Sequence, residues 1–223
     1  MLGFARWLRH IAAAMYLPLV AMMLLSLAAA GAFAQGPGKD FQPVTPPQPV
    51  ETGNKIEVIE FFSYACPHCQ TLEEPLRAWL KRKPADVEFR RVPVIFSETW
   101  APYARIYYTL EAMGLVDKLH RDVFTAVHDQ KVRLQEPKVL FDWVATKGVD
   151  KQKFMDTYNS FTVQSRAQRS PEMTKRYGVE FTPALVIDGR YLTGPSMVGV
   201  DYDRFFKVVD QLVATARKNR AAK

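Results

Sequence analysis

Cysteine is nearly missing from this chain: two residues in 223, Cys66 and Cys69. That excludes the dense disulfide framework by which small secreted domains hold together, so the fold must rest on a packed core. Histidine is scarce too, with four in all. A structural zinc site takes four ligands, typically from a second Cys-x-x-Cys or a His pair. There is no second cysteine pair, and His68, His120 and His128 fall at no such spacing, so no metal site is expected. No stripe of Lys and Arg with interleaved aromatics is present, and no internal repeat. The net charge of +7 is therefore a diffuse basic surface, which speaks against nucleic acid as a partner. What remains, 48% hydrophobic and 24% charged, is a globular composition long enough for a real core in one or two domains.

The long apolar run lies at the amino end. Arg6, Arg9 and His10 precede residues 11–30, which carry no charge, and Ala32-Phe33-Ala34 supplies a small-x-small cleavage pattern. Pro18 and that pattern favour a signal peptide over residues 1–34, cleaved after Ala34, over an uncleaved membrane anchor. Positive charge before the run sends the remainder outward in either case. No cysteine adjoins the site, which excludes a lipid-modified amino terminus. Cleavage leaves 189 residues, and the loss of two arginines and no acid lowers the charge of +7 to +5.

Residues 35–54, with Pro37, Pro43, Pro46, Pro47 and Pro49, read as an extended lead-in and not a packed element. KIEVIEFF (55–62) is β-branched and aromatic, a strand. CQTLEEPLRAWLKRK places Leu72, Leu76, Trp79 and Leu80 on one helical face, with a kink expected at Pro75. VEFRRVPVIF (87–96) is a second strand, and strand–helix–strand of these lengths makes a parallel βαβ unit. The pattern over 98–175 is helical only, with Gly114 and Gly148 ending periodic runs. TPALVI and YLTG flank Asp188-Gly189, a hairpin signal, and DYDRFFKVVDQLVATARK closes as an amphipathic helix. The order predicts an α/β sheet domain in two parts, 55–97 and 176–223, interrupted by an all-helical insertion at 98–175.

Cys66-Pro67-His68-Cys69 sits between the first strand and the first helix. A static staple closing so short a loop would barely restrict the unfolded chain. Redox exchange fits better, because a helix amino terminus offers free N–H groups and the positive end of the dipole to the first sulfur. Pro67 suits the first helical position, and His68, when protonated, adds positive charge. Residues three apart on a helix have Cβ atoms about 5–6 Å apart, more than the roughly 3.5–4.5 Å a disulfide wants. Such a disulfide is easily given away.

EFFSYACPHC followed by QTLEEPL resembles the DsbA family of periplasmic thiol:disulfide oxidoreductases, which use a thioredoxin fold with an inserted helical domain. The likeness runs from about Lys55 to the last helix. It implies that Cys66 is the solvent-facing nucleophile and Cys69 the resolving cysteine, with Pro67 and His68 tuning the potential. Thr182-Pro183 would be the family's cis-proline step, whose backbone at residue 182 pairs with an extended substrate. The implied activity is donation of the Cys66–Cys69 disulfide to reduced exported proteins in the periplasm, through a mixed disulfide at Cys66. No cofactor is implied, the protein would act as a monomer, and reoxidation would fall to a quinone-linked inner-membrane partner of the DsbB type. Substrate contact is expected in a shallow groove around the motif, Thr182-Pro183 and Gly194-Pro195.

Two departures stand out. Thr182 occupies a position where many strong oxidases have Val and related isomerases have Thr. Pro75 is a local difference without an assigned role. Glu60 shares a strand face with Ile56, Val58 and Phe62, so its carboxylate is expected to be buried behind the sulfurs, with a raised pKa and a part in moving protons. The family likeness also places a buried acid here, and Arg91 is a candidate charge partner. His120 and His128 read as surface residues of the helical block, and the aromatics of TWAPYARIYYTL as core. Within the same fold the alternative is a reductase or isomerase. In another class it is a holdase-type chaperone, whose activity would survive Cys66→Ser.

Overall fold

The computed structural model describes residues 40–222; the expected signal peptide and its cleavage after Ala34 lie outside them. A five-stranded mixed sheet runs in the order β1 (Gln42–Pro43), β5 (Tyr191–Thr193), β4 (Ala184–Ile187), β2 (Ile56–Phe62), β3 (Val87–Pro93). β2 and β3 are parallel, joined through α1 (Pro67–Arg82), while β4 lies antiparallel to β2 on its other side. Five helices separate β3 from β4: α2 (Ala101–Ala112), α3 (Val116–Phe124), α4 (Pro137–Thr146), α5 (Lys151–Tyr158) and α6 (Phe161–Arg176). α7 (Tyr202–Ala221) ends the described chain. No helix among the described residues is long and apolar enough to cross a membrane.

All seven residues of β2 are buried, so this interior strand is covered on both faces. Ile56 and Val58 pack with Leu72, Leu76 and Trp79 of α1 and with Phe205, Val209 and Leu212 of α7. Ile59 and Phe61 point the other way, against Val44, Tyr177, Val179 and Val186. Phe62, Tyr64, Cys66 and Cys69 belong to a third cluster, built mostly from the inserted helices. The tyrosines of α2 are core residues there, as their spacing predicts. α1 continues through Pro75 to Arg82 as one helix. An interior proline costs about 3 kcal/mol. Burying Leu72, Leu76 and Trp79 returns roughly 1.5–3 kcal/mol for each side chain, so the helix survives.

The lead-in differs from its reading as an unpacked segment. Gln42 and Pro43 pair with Leu192 and Tyr191, Val44 is buried, and Gln48 N–H donates to the Gly189 carbonyl at 2.8 Å. A proline is tolerated there because an edge strand needs no donor on its outer side. The Asp188-Gly189 turn forms as predicted, with φ of +53° and +64°. Glycine is required at its second position: a Cβ on Gly189 would sit 2.1 Å from the Gln48 carbonyl oxygen.

Candidate active site

The end of β2 and the start of α1 put the two cysteines one helical turn apart. Cys66 caps α1 in extended conformation, and Pro67 takes the first helical position. Cys66 N–H donates to the Ser63 carbonyl at 3.0 Å, and Cys69 N–H to the Cys66 carbonyl at 3.1 Å. Both cysteines are free in this structure. Cys69 is fully covered. Cys66 keeps 6% of its surface, less open than a solvent-facing nucleophile was expected to be, because the Thr182-Pro183 segment packs over it. That peptide bond is cis, and Cys66 Sγ lies 3.5 Å from the Thr182 carbonyl oxygen, to which it donates.

The two sulfurs are pulled in opposite directions. A hydrogen bond from the Cys69 thiol lowers Cys66, and the Thr182 side chain and the N–H groups of Cys69 and His68 add to it; together they outweigh burial and bring the thiol from 9.0 to about 5. Burial raises Cys69 well above 9, helped by the hydrogen bond it gives to Cys66 and by the charge of the Cys66 thiolate. Pro67 and His68 are exposed. His68 shares a shallow pocket of about 110 Å³ with Thr182, Pro183, Pro195, Ser196 and Val200. Val200 holds a left-handed φ of +62° and exposes 59% of its surface, a strained position for a β-branched side chain.

Behind the motif lies a buried polar network. Glu60 is completely covered and accepts from Arg91 Nε at 2.7 Å, the partner expected for it. Arg91 also reaches Glu73 of α1 at 3.4 Å. Burial pushes the Glu60 carboxyl up to about 7 against the pull of Arg91, with Glu73 adding to the rise. At Glu73 burial likewise raises the pKa, but the His120 hydrogen bond and the charge of Arg91 prevail and hold it below its ordinary value.

His120 and His128 correct the surface reading given to them. His120 is 4% exposed, with Nδ1 2.6 Å from the Tyr64 hydroxyl and Nε2 3.0 Å from Glu73 Oε1. His128 sits in a π-helical turn (Thr125–Asp129) and donates from Nε2 to the Tyr64 carbonyl at 2.8 Å. Tyr64 is thus gripped at its hydroxyl and its carbonyl by two histidines of the inserted helices. A signal for His120 was present: it stands three and four residues before Val123 and Phe124, on the buried face of α3. Glu73, next to Leu72 and four residues after Cys69, carried a similar one.

A thioredoxin-type sheet, a cysteine pair at a helix amino terminus and a cis-proline segment against the first sulfur together define a thiol:disulfide oxidoreductase with an inserted helical domain. Residues 57–213 match the DSBA-like thioredoxin domain. The thiol:disulfide interchange protein DsbA of Bordetella parapertussis is 40% identical over 198 residues, covering 89% of this chain and 94% of its own. That of Burkholderia cepacia is 42% identical over 185 residues, covering 80% and 87%. The crystal structure of Pseudomonas aeruginosa DsbA matches with a TM-score of 0.77 at 36% identity, over 83% of this chain and 94% of that one. The chain belongs to the DsbA family.

Proposed function

We propose that the protein donates its Cys66–Cys69 disulfide to reduced, newly exported proteins in the periplasm. The observation that carries this reading is the opposite pull on the two sulfurs, with Cys66 at about 5 and Cys69 held well above 9. A substrate thiolate attacks Cys66 Sγ; a bond forms between those sulfurs, the Cys66–Cys69 bond breaks, and its electron pair stays on Cys69, which takes up a proton. A second substrate thiolate then attacks the substrate sulfur of the mixed disulfide, and Cys66 departs as a thiolate. A sulfur with a low pKa leaves readily, so this second step runs toward oxidised substrate.

Other site residues take supporting parts in this scheme. The Thr182 backbone offers its carbonyl to an extended substrate chain, Pro183 shapes the contact, and Pro67 and His68 tune the sulfur from the helix start. The pocket beside His68 would hold an apolar substrate side chain. Reoxidation of the Cys66–Cys69 dithiol falls to a DsbB-type inner-membrane partner, and the protein works as a monomer once its signal peptide is removed after Ala34. Equilibrating the pair against glutathione buffers, with thiolate absorbance followed over pH, tests the direction of transfer. A high potential with a Cys66 ionised near pH 5 is expected. A low potential with an ordinary thiol pKa would sink the donor reading in favour of a reductase.

A further inference from the structure

Two carboxyl groups and one guanidinium share the pocket behind the cysteines, and the charges do not balance. Arg91 Nε lies 2.7 Å from Glu60 Oε2 and Arg91 Nη2 lies 3.4 Å from Glu73 Oε1. Both acids are buried, so with both ionised the site would hold an uncompensated negative charge out of reach of water, a state that proteins avoid by retaining a proton. The hydrogen bonds show which carboxyl keeps it. Glu73 Oε1 faces two donors, Arg91 and His120 Nε2. Glu60 engages only Oε2; its Oε1 is buried without a partner, a position that suits a protonated carboxyl and penalises an ionised one.

The other nitrogen of His120 sets its tautomer. Nδ1 meets the Tyr64 hydroxyl, and burial raises that phenol far above its ordinary pKa, so it stays protonated and donates. Nδ1 therefore accepts, and the ring proton sits on Nε2, aimed at Glu73. A neutral ring satisfies both partners. The groups facing it are Tyr64 from the turn after β2, Glu73 from α1, Arg91 from β3, Tyr107 from α2 and Asp117 on its own helix. Phe62 and Phe124 close around the ring, and burial together with Arg91 opposes a second proton on it.

We propose that His120 decides which of the two buried carboxyls holds their shared proton, fixing Glu73 as the anion and leaving Glu60 as the acid that serves Cys69. His120 is a positioning residue: it touches neither sulfur and acts through Glu73. When the Cys66–Cys69 bond breaks and its electron pair stays on Cys69, Glu60, the protonated carboxyl of the pocket behind the motif, supplies the proton that this sulfur takes up and remains as the carboxylate paired with Arg91. This use of the proton rests on the donor reaction proposed above; the ownership of the proton does not.

Carbon-13 NMR of the reduced protein, labelled at the glutamate side-chain carboxyls, below the Glu60 value of about 7 and with no substrate present, reads that ownership. Either Gln substitution leaves one carboxyl alone with Arg91, so Glu60→Gln and Glu73→Gln serve to assign the two signals by the one each removes. In the unaltered protein the Glu60 signal is expected at the protonated position and the Glu73 signal at the carboxylate position. In His120→Leu, which removes the donor to Glu73, the two positions should exchange, with signals assigned by the same substitutions in that background. His120→Gln, which returns an N–H toward Glu73, should restore the original pattern. His120→Asn, too short to reach Glu73, repeats the test if His120→Leu does not fold. A protonated Glu73 in the otherwise unaltered protein overturns the proposal, and so does a proton that stays on Glu60 when His120 is replaced. Because no substrate is present, this result stands apart from success or failure of the donor reaction.

Discussion

Cys66 draws its acidity from several separate donors, and Thr182 is the one that a substitution can remove without disturbing the helix. Its side chain is among the groups that lower the Cys66 thiol, while its backbone carbonyl accepts from that thiol at 3.5 Å. Valine has nearly the same shape and no hydroxyl. A hydrogen bond to a charged group is worth about 1.5–3 kcal/mol, and one pKa unit is about 1.4 kcal/mol. Thr182→Val should therefore raise Cys66 by about one unit or somewhat more. The reduced form loses the same stabilisation, so the potential should fall by about 30 mV per unit of that rise, giving a weaker disulfide donor. Thiolate absorbance against pH, paired with a glutathione equilibrium, measures both. An unchanged Cys66 would mean that the hydroxyl does not serve the sulfur.

Among the elements, the inserted helices reach the redox motif through α3 and the π-helical turn after it. His128 donates to the Tyr64 carbonyl, and Gln70 of α1 donates to both oxygens of Asp129 at 3.1 and 3.0 Å. The first contact is partly buried and the second exposed, so they should differ in weight. His128→Leu leaves a half-buried carbonyl unpaired and should cost about 1–3 kcal/mol. Gln70→Ala should stay within about 0.5 kcal/mol. Urea unfolding of the oxidised protein separates them, with a lowered midpoint and unchanged slope expected for His128→Leu alone. Equal effects would refute this ranking. These contacts also mark where the sequence stopped being readable. β2, α1 and the Asp188-Gly189 turn were legible because hydrophobic period and turn chemistry are local. β1 was not, since two residues on a sheet edge carry no period of their own. The network of Glu60, Glu73, Arg91, Tyr64 and His120 joins residues 18 to 56 positions apart. His120 stands on an apolar helical face, a sign of burial, but the groups that satisfy its ring arrive from other elements and leave no local trace. The pairing of Glu60 with Arg91 could be guessed only because neighbouring parallel strands put them in register.

For the molecule as a whole, the acidity of Cys66 is a statement about the relative stability of its two redox forms. The buried groups Glu60 and His120 are present in both forms. Glu60, raised to about 7, gives stability that is present below its unfolded value of 4.5 and lost as pH rises through 7. His120, lowered by burial, gives stability that is present above 6.5 and lost as pH falls. To first order both cancel when the oxidised protein is subtracted from the reduced one, because only the reduced protein has a Cys66 thiol to ionise. A thiol depressed from 9.0 to about 5 stabilises the reduced fold fully above pH 9 and loses that contribution as pH falls through 5. Cys69 works in the opposite sense above pH 9, where the unfolded thiol ionises and the buried one does not. Unfolding midpoints of the two forms, measured between about pH 4 and 9, should therefore show the reduced form gaining on the oxidised form steadily from pH 5 upward. The gap between the reduced protein and a Cys66→Ser variant should widen over the same range, since serine carries no titrating thiol. A gap that stays flat, or narrows with rising pH, would mean that the folded protein leaves Cys66 as an ordinary thiol, and a disulfide held by such a sulfur has no electrostatic reason to be given away.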